Sequence, residues 1–347
     1  MDNRRWTVDG QRTTADTQGA IVHRPSSVVG RRLRGLIQIA VSALLLALIL
    51  RQVRWGEVWG ALRRIDLRWL ALALAFFLLG VVVRAVRWQV LLDALGVRRP
   101  LRELVTWYFV GSFFNVILPT GFGGDAVRAA ELAQDTGRPG PVINSVLVDR
   151  YLGIMVLLAM GLVAALLRPG TATAAILAVT AALFVGGLLV AWLLRRPWWA
   201  NLARRSDLIG KAVRVLRLPV LAEAFAPYDR RAIGRGLAAS LAFNLLQIGW
   251  NVAIAQGLDL RLPLSAYFVF VPLTAVALLL PAFGGLGVRE MSYVGLFGSA
   301  GVSQPTALAL SLGVYIITGA TGVMGGVMYL AQGLRRVKRS RKEQITG

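Results

Sequence analysis

Leu118-Pro119-Thr120-Gly121-Phe122-Gly123-Gly124-Asp125-Ala126-Val127-Arg128 and Leu280-Pro281-Ala282-Phe283-Gly284-Gly285-Leu286-Gly287-Val288-Arg289-Glu290 are two versions of one pattern. Each follows an apolar run, opens with Leu-Pro, passes through Phe-Gly-Gly and reaches an arginine. Proline has no backbone donor and blocks helix continuation. Glycine permits close backbone approach and positive φ. Broken backbone inside apolar sequence is tolerated only where it is buried in protein or lines a wet cavity. Paired Gly/Pro interruptions in two halves of a membrane protein point to a transport site. The residues expected to shape the two breaks are Pro119, Gly121, Gly123 and Gly124, then Pro281, Gly284, Gly285 and Gly287.

The chain around these breaks has 347 residues, of which 56% are hydrophobic, and a mean hydropathy of +0.62. That composition excludes an ordinary soluble domain and fits about eight apolar segments of roughly 20 residues. They are Gly35–Leu50, Trp69–Leu92, Leu104–Leu118, Val142–Leu167, Ala172–Leu194, Gly236–Gly257, Leu264–Leu280 and Pro305–Leu334. Trp55, Val58, Trp59, Leu62 and Ile65 share one face of a short amphipathic helix in 51–68. Short helices are expected after each break, Ala126–Ala133 with Asp125 as N-cap, and Arg289 through Phe297.

The net charge is +22, with 39 Lys+Arg against 17 Asp+Glu. Most of the basic residues lie in 1–34, 98–102, 195–235 and 335–347, between or beyond the apolar segments. The positive-inside rule and anionic headgroups explain them more simply than nucleic acid does. With those stretches inside, span–hairpin–span occurs twice in opposite directions. The expected fold is therefore an all-α polytopic membrane protein of about six full spans plus two re-entrant helical hairpins, arranged as an inverted-topology repeat. Its parts are a disordered basic tail 1–34, a membrane domain 35–334 split by a cytoplasmic basic loop 195–235, and a basic tail 335–347. The expected location is the bacterial plasma membrane, with both termini cytoplasmic.

Five arginines fall within or beside the apolar segments: Arg84, Arg87, Arg128, Arg150 and Arg289. Asp125, Asp149 and Glu290 accompany them, and Asn115 precedes the first break. Adjacent helix positions point about 100° apart, so Asp149 and Arg150 are expected to pair with other segments rather than each other. Arg128 opens a helix, where the dipole disfavours a cation, and needs an anionic partner. Arg84 and Arg87 either snorkel to the interface or line a polar cavity. Asn244, Gln247 and Asn251 share one helix face, as interhelical glue or as a substrate-lining stripe. The chain has no Cys, its one His is His23 in the polar tail, and it has no Asp-x-Asp and no G-x-x-x-x-G-K-[ST]. Thiol chemistry, histidine metal sites and a P-loop ATPase are excluded on that basis, and no cofactor is expected.

Arg84-x-x-Arg87-Trp88, the run from Asn115 to Arg128, Asp149-Arg150 and the second break together resemble the lysylphosphatidylglycerol synthase transmembrane family, over roughly 33–333. That family includes the flippase region of the bacterial multiple peptide resistance factor and stand-alone flippase-like proteins. The resemblance implies lipid translocation rather than an enzyme activity, because the soluble synthase domain of the resistance factor has no counterpart in these residues. Arg84, Arg87, Asn115, Asp125, Arg128, Asp149, Arg150, Arg289 and Glu290 are then expected to contact a phospholipid, an aminoacylated lipid or another lipid-linked substrate. The carboxylates would hold the arginines in the empty groove or bind a cationic headgroup. Partners in this reading are membrane phospholipids, anionic headgroups at the basic loops, a lipid synthase and a second copy of the chain. Two rivals stay open: a membrane glycosyltransferase acting on polyprenyl phosphates, and a non-transporting partner that docks a synthase through 195–235.

Overall fold

In the computed structural model the described residues are 55–117, 123–170, 173–194, 224–278 and 286–346. They carry ten helices and, among them, no strand. We number these α1 Trp55–Arg63, α2 Leu67–Ala94, α3 Leu101–Ile117, α4 Gly123–Thr136, α5 Pro139–Leu167, α6 Ala174–Leu194, α7 Arg230–Gly257, α8 Leu264–Ala277, α9 Val288–Gly298 and α10 Gln304–Thr346. The tail 1–34, the first segment Gly35–Leu50, most of the loop 195–235, and Pro119, Gly121, Pro281, Gly284 and Gly285 lie outside the described residues.

Among the described residues, five helices are long and apolar enough to cross a membrane: α2, α5, α6, α7 and the Gln304–Gln332 part of α10. At 1.5 Å per residue, a 28-residue helix such as α2 is about 42 Å long and spans the hydrocarbon with margin. The shorter α3 and α8 lead into the two breaks, and α4 and α9 leave them. α4 folds back against α3, and α9 against α8, so each break closes a hairpin. Gly124 makes the first hairpin possible. A Cβ there would stand 2.0 Å from the Gly111 carbonyl oxygen, and the Gly124 N–H donates to Asn115 Oδ1 at 2.7 Å.

The packing is two-fold. Exchanging α2 with α7, α3 with α8, α4 with α9 and α5 with α10 maps every packed pair among these eight helices onto another packed pair among them or onto itself. Thus α3 lies on α10 as α8 lies on α5, and α2 lies on α7 as its own counterpart. That central pair is antiparallel: the Asp66 N–H donates to Gly257 O, Gly249 faces Phe76, and Gly80 faces Phe243 and Trp250. An axis that exchanges two antiparallel neighbours runs perpendicular to them. The two halves are therefore inverted with respect to each other, as the repeated Pro-Gly pattern predicts.

Three local expectations change. Asp125 does not cap α4; the helix starts at Gly123 and Asp125 sits in its first turn, its carboxylate turned to Arg128 and Arg150. The last apolar span ends at Gln332, close to the expected Leu334, but its helix does not: α10 continues to Thr346 through the basic stretch. α7 starts at Arg230, so the end of the 195–235 loop is already helical, with Asp229 capping the Ala232 N–H. In α1, Val58 packs on Leu308 and Ala309 of α10, while Trp55 and Trp59 face outward.

Candidate functional site

Seven helices surround one cavity of about 340 Å³, within the rough 300–1,000 Å³ range of small-ligand sites. Phe77, Arg84 and Arg87 of α2 line it, as do Asp149, Arg150 and Gly153 of α5 and Phe243, Asn244, Gln247, Trp250 and Asn251 of α7. Those positions fall in the middle of their helices, so the cavity lies near mid-depth of the bundle. α3 contributes Ser112 and Asn115, α8 Thr274, α9 Arg289 and Tyr293, and α10 Tyr315 and Thr318.

One wall is a buried charge network centred on Asp149. Its Oδ1 accepts from Arg87 Nε at 2.6 Å. Its Oδ2 accepts from Arg128 Nη2 at 3.1 Å and from the Tyr108 hydroxyl at 3.0 Å. Asp125 then bridges Arg128, whose Nε lies 3.0 Å from Oδ1, and Arg150, which bonds Oδ2. Arg87 also donates to Ser240 Oγ at 3.0 Å, and that hydroxyl passes its own proton to Gly236 O. Gly153 leaves the room Arg87 needs: a Cβ there would meet Arg87 Nη1 at 2.8 Å. Asp149 and Arg150 pair with other helices and not with each other, as their angular separation on α5 requires.

Arg128 does not line the cavity. Its guanidinium is clamped between the Trp88 ring, 4.5 Å from the centroid, and the Tyr108 ring, 4.1 Å away. Trp88 is itself fixed by its N–H on Ser145 Oγ at 2.8 Å. Two carboxylates and two ring faces therefore meet the expected need for an anion beside Arg128. Arg87 is buried too, which removes the snorkelling alternative for it.

Arg84 and Arg289 differ from the other three. Arg84 lies over the rings of Tyr108 and Phe243, at 4.7 and 5.2 Å, with no hydrogen bond or ion pair to a described residue. Arg289 stands over Tyr315 at 4.7 Å, its Nη1 is buried without a hydrogen-bond partner, and no carboxylate among the described residues is within ion-pair distance. The neighbouring Glu290 does not line the cavity; its Oε2 accepts the Gly287 N–H at 2.7 Å, closing the start of α9, and its Oε1 is buried without a hydrogen-bond partner among the described residues. Gly287 has φ +81°, a conformation that suits glycine. The two breaks therefore deliver one arginine each, Arg128 and Arg289, in different states: the first neutralised, the second open to the cavity.

Asn115 both lines the cavity and holds α4 through Gly124, while Asn244 donates to Gly153 O at 3.0 Å. Gln247 and Asn251 line the cavity as well, and Asn251 accepts the Tyr293 hydroxyl. The amide stripe on α7 is thus both glue and lining. Tyr108, Trp88, Ser240 and Phe243 complete the site and were not singled out from sequence as site residues. Helical spacing marks two of them: Ser240 extends the stripe Asn244, Gln247, Asn251 by one turn, and Tyr108 precedes Ser112 and Asn115 at steps of four and three. Among the described residues no cluster of His, Cys, Asp and Glu has the makings of a metal site.

The model of the lysylphosphatidylglycerol synthase transmembrane region matches residues 35–326, which takes in both breaks, the cavity and the charge network. The chain belongs to that family. No curated protein matches it. Within the lysylphosphatidylglycerol synthase transmembrane family, this chain is a multi-pass membrane protein whose matched region includes every cavity-lining residue named above.

Proposed function

We propose that the protein moves a phospholipid or another lipid-linked substrate between leaflets, the headgroup passing through the central cavity while the acyl chains stay in the bilayer. The observation that carries this is a polar cavity at mid-depth of an inverted repeat, lined by Arg84, Arg87, Arg150 and Arg289. A headgroup crossing hydrocarbon loses its water at a cost of several kcal/mol or more. Guanidinium groups replace that water well, because their planar fork binds two phosphate oxygens at once. The family match agrees with a lipid-handling role.

In this reading the protein is a transporter and not an enzyme. It works in the bacterial plasma membrane without ATP of its own, and the end bearing Arg98, Arg99, Arg138 and Arg230 faces the cytoplasm. The test is purified protein in liposomes with headgroup-labelled phospholipids and a membrane-impermeant quencher. Wild type should collapse the protected fraction, and Arg84→Ala or Arg289→Ala should slow that collapse at least ten-fold. Rates equal to those of protein-free liposomes would refute transport, and unchanged rates in both variants would take these arginines off the path.

A further inference from the structure

The embedded charges are unequal: five arginines face three carboxylates, and the two that pair with arginines, Asp125 and Asp149, are already occupied. Asp149 has three donors and Asp125 two arginines. Glu290 accepts a backbone N–H on Oε2 at the start of α9; its Oε1 is buried without a hydrogen-bond partner among the described residues, and the residue is off the cavity lining. Of the three, only Asp149 reaches the cavity wall, and its side chain is 1% exposed. An ammonium group entering this space would find no free carboxylate among the described residues that line it. It would instead approach Arg84 and Arg289, which have no ion-paired carboxylate among the described residues. Like charges within a few ångströms in a poorly hydrated site repel strongly. The remaining polar lining comes from amides and hydroxyls, among them Asn244, Gln247 and Thr318, which are neutral.

We infer that the cavity takes a phosphate ester of net negative charge carrying no ammonium group, held between Arg84 from the first half and Arg289 from the second. The inference deepens the transport reading and rests on it for the idea that the ligand is carried, but the charge preference is a binding property and is measurable alone. It removes aminoacylated headgroups, which the sequence admits as substrates, from the class. It also gives the inverted repeat a use: each half contributes one cation to the same anion, so a shift of one half against the other changes the grip.

The binding test uses the full chain in a non-ionic maltoside and follows its thermal unfolding midpoint. The probes are dihexanoyl phosphatidylglycerol, dihexanoyl phosphatidylcholine, a lysyl ester of dihexanoyl phosphatidylglycerol, and glycerol phosphate. The anionic lipid should half-saturate at a concentration at least ten-fold lower than the zwitterionic or lysylated one. Arg84→Gln and Arg289→Gln should each raise that concentration ten-fold or more, and Arg84→Lys should restore part of the loss. Arg261→Gln, at the exposed end of the bundle, should change nothing. Equal response to the three lipids overturns the inference, and because that comparison uses wild type, it stands even if a variant does not fold. Glycerol phosphate as effective as the short-chain lipid would support the anion site and assign it to a free ester. Anion preference retained with no lipid movement in liposomes would sink the transport reading and leave the binding site.

Discussion

Asp149→Asn isolates the charge at the centre of the network while keeping its shape. The carboxylate takes Arg87 Nε at 2.6 Å on one oxygen and Arg128 Nη2 and Tyr108 Oη at 3.1 and 3.0 Å on the other. Asparagine keeps one acceptor oxygen and sets an NH₂ donor against the remaining donors. One arginine then loses its acceptor: either Arg87 is left with Ser240, or Arg128 is left with Asp125, which Arg150 also claims. Removing one partner of a buried ion pair costs about 3–5 kcal/mol, because the surviving charge stays buried. Arg150→Gln is the internal contrast. Its side chain is 28% exposed and Asp125 keeps Arg128, so about 1 kcal/mol is expected. Unfolding in mixed dodecyl sulfate and maltoside micelles, followed by far-UV circular dichroism, measures both. Adding Arg87→Gln to Asp149→Asn should recover about 1–3 kcal/mol of the loss, since the orphaned cation is gone. An Asp149→Asn protein within about 0.5 kcal/mol of wild type, or one more stable than Arg150→Gln, would refute the network described here.

Three further outcomes follow from the packing. Gly124→Ala and Gly325→Ala would place a methyl 2.0 Å from Gly111 O and 1.8 Å from Phe109 O, so each should cost about 3 kcal/mol or prevent folding, whereas Gly319→Ala meets nothing and should be neutral or slightly stabilising in the same unfolding assay. Tyr108→Phe keeps the ring beneath Arg84 and Arg128 but loses the hydroxyl on Asp149, and should cost about 1–2 kcal/mol on denaturant titration. The chain has no cysteine, so Arg230→Cys and Arg261→Cys are single labelling sites; an impermeant maleimide should reach the first from the cytoplasmic side only and the second from outside only.

What the sequence made legible was whatever depends on local chemistry. Leu-Pro with Phe-Gly-Gly marks a break because proline and glycine act on their own backbone, and both breaks close hairpins. The separation of Asp149 from Arg150 follows from helix geometry and is what the structure has. What stayed hidden depends on distant neighbours. Gly123 and Gly124 look like poor helix formers, so Asp125 reads as the cap; the helix includes them because Gly124 must pass within contact of Gly111. The stretch after Leu334 reads as a tail because its charges leave the membrane. Leaving the membrane does not end a helix, and 334–346 holds no glycine or proline. Which arginines are neutralised is a matter of tertiary pairing, and no spacing rule distinguishes Arg128 from Arg289.

That last difference bears on how the proposed transport would gain a direction in a symmetric fold. The two breaks occupy equivalent places in an inverted repeat, so equal chemistry at both would give two equivalent grips on a ligand. Instead the first arginine is sealed by Asp125, Asp149, Trp88 and Tyr108, and the second has only the face of Tyr315 among the groups named here. Opening the first hairpin would expose several buried charges at once, a cost of several kcal/mol. Moving the second breaks no ion pair among the described residues. In the transport reading, an anion bridging Arg84 and Arg289 would tie the second hairpin to the first half, and its departure would release it. In that reading, the asymmetry of charge gives a two-fold scaffold one wall held by buried ion pairs and one without them among the described residues.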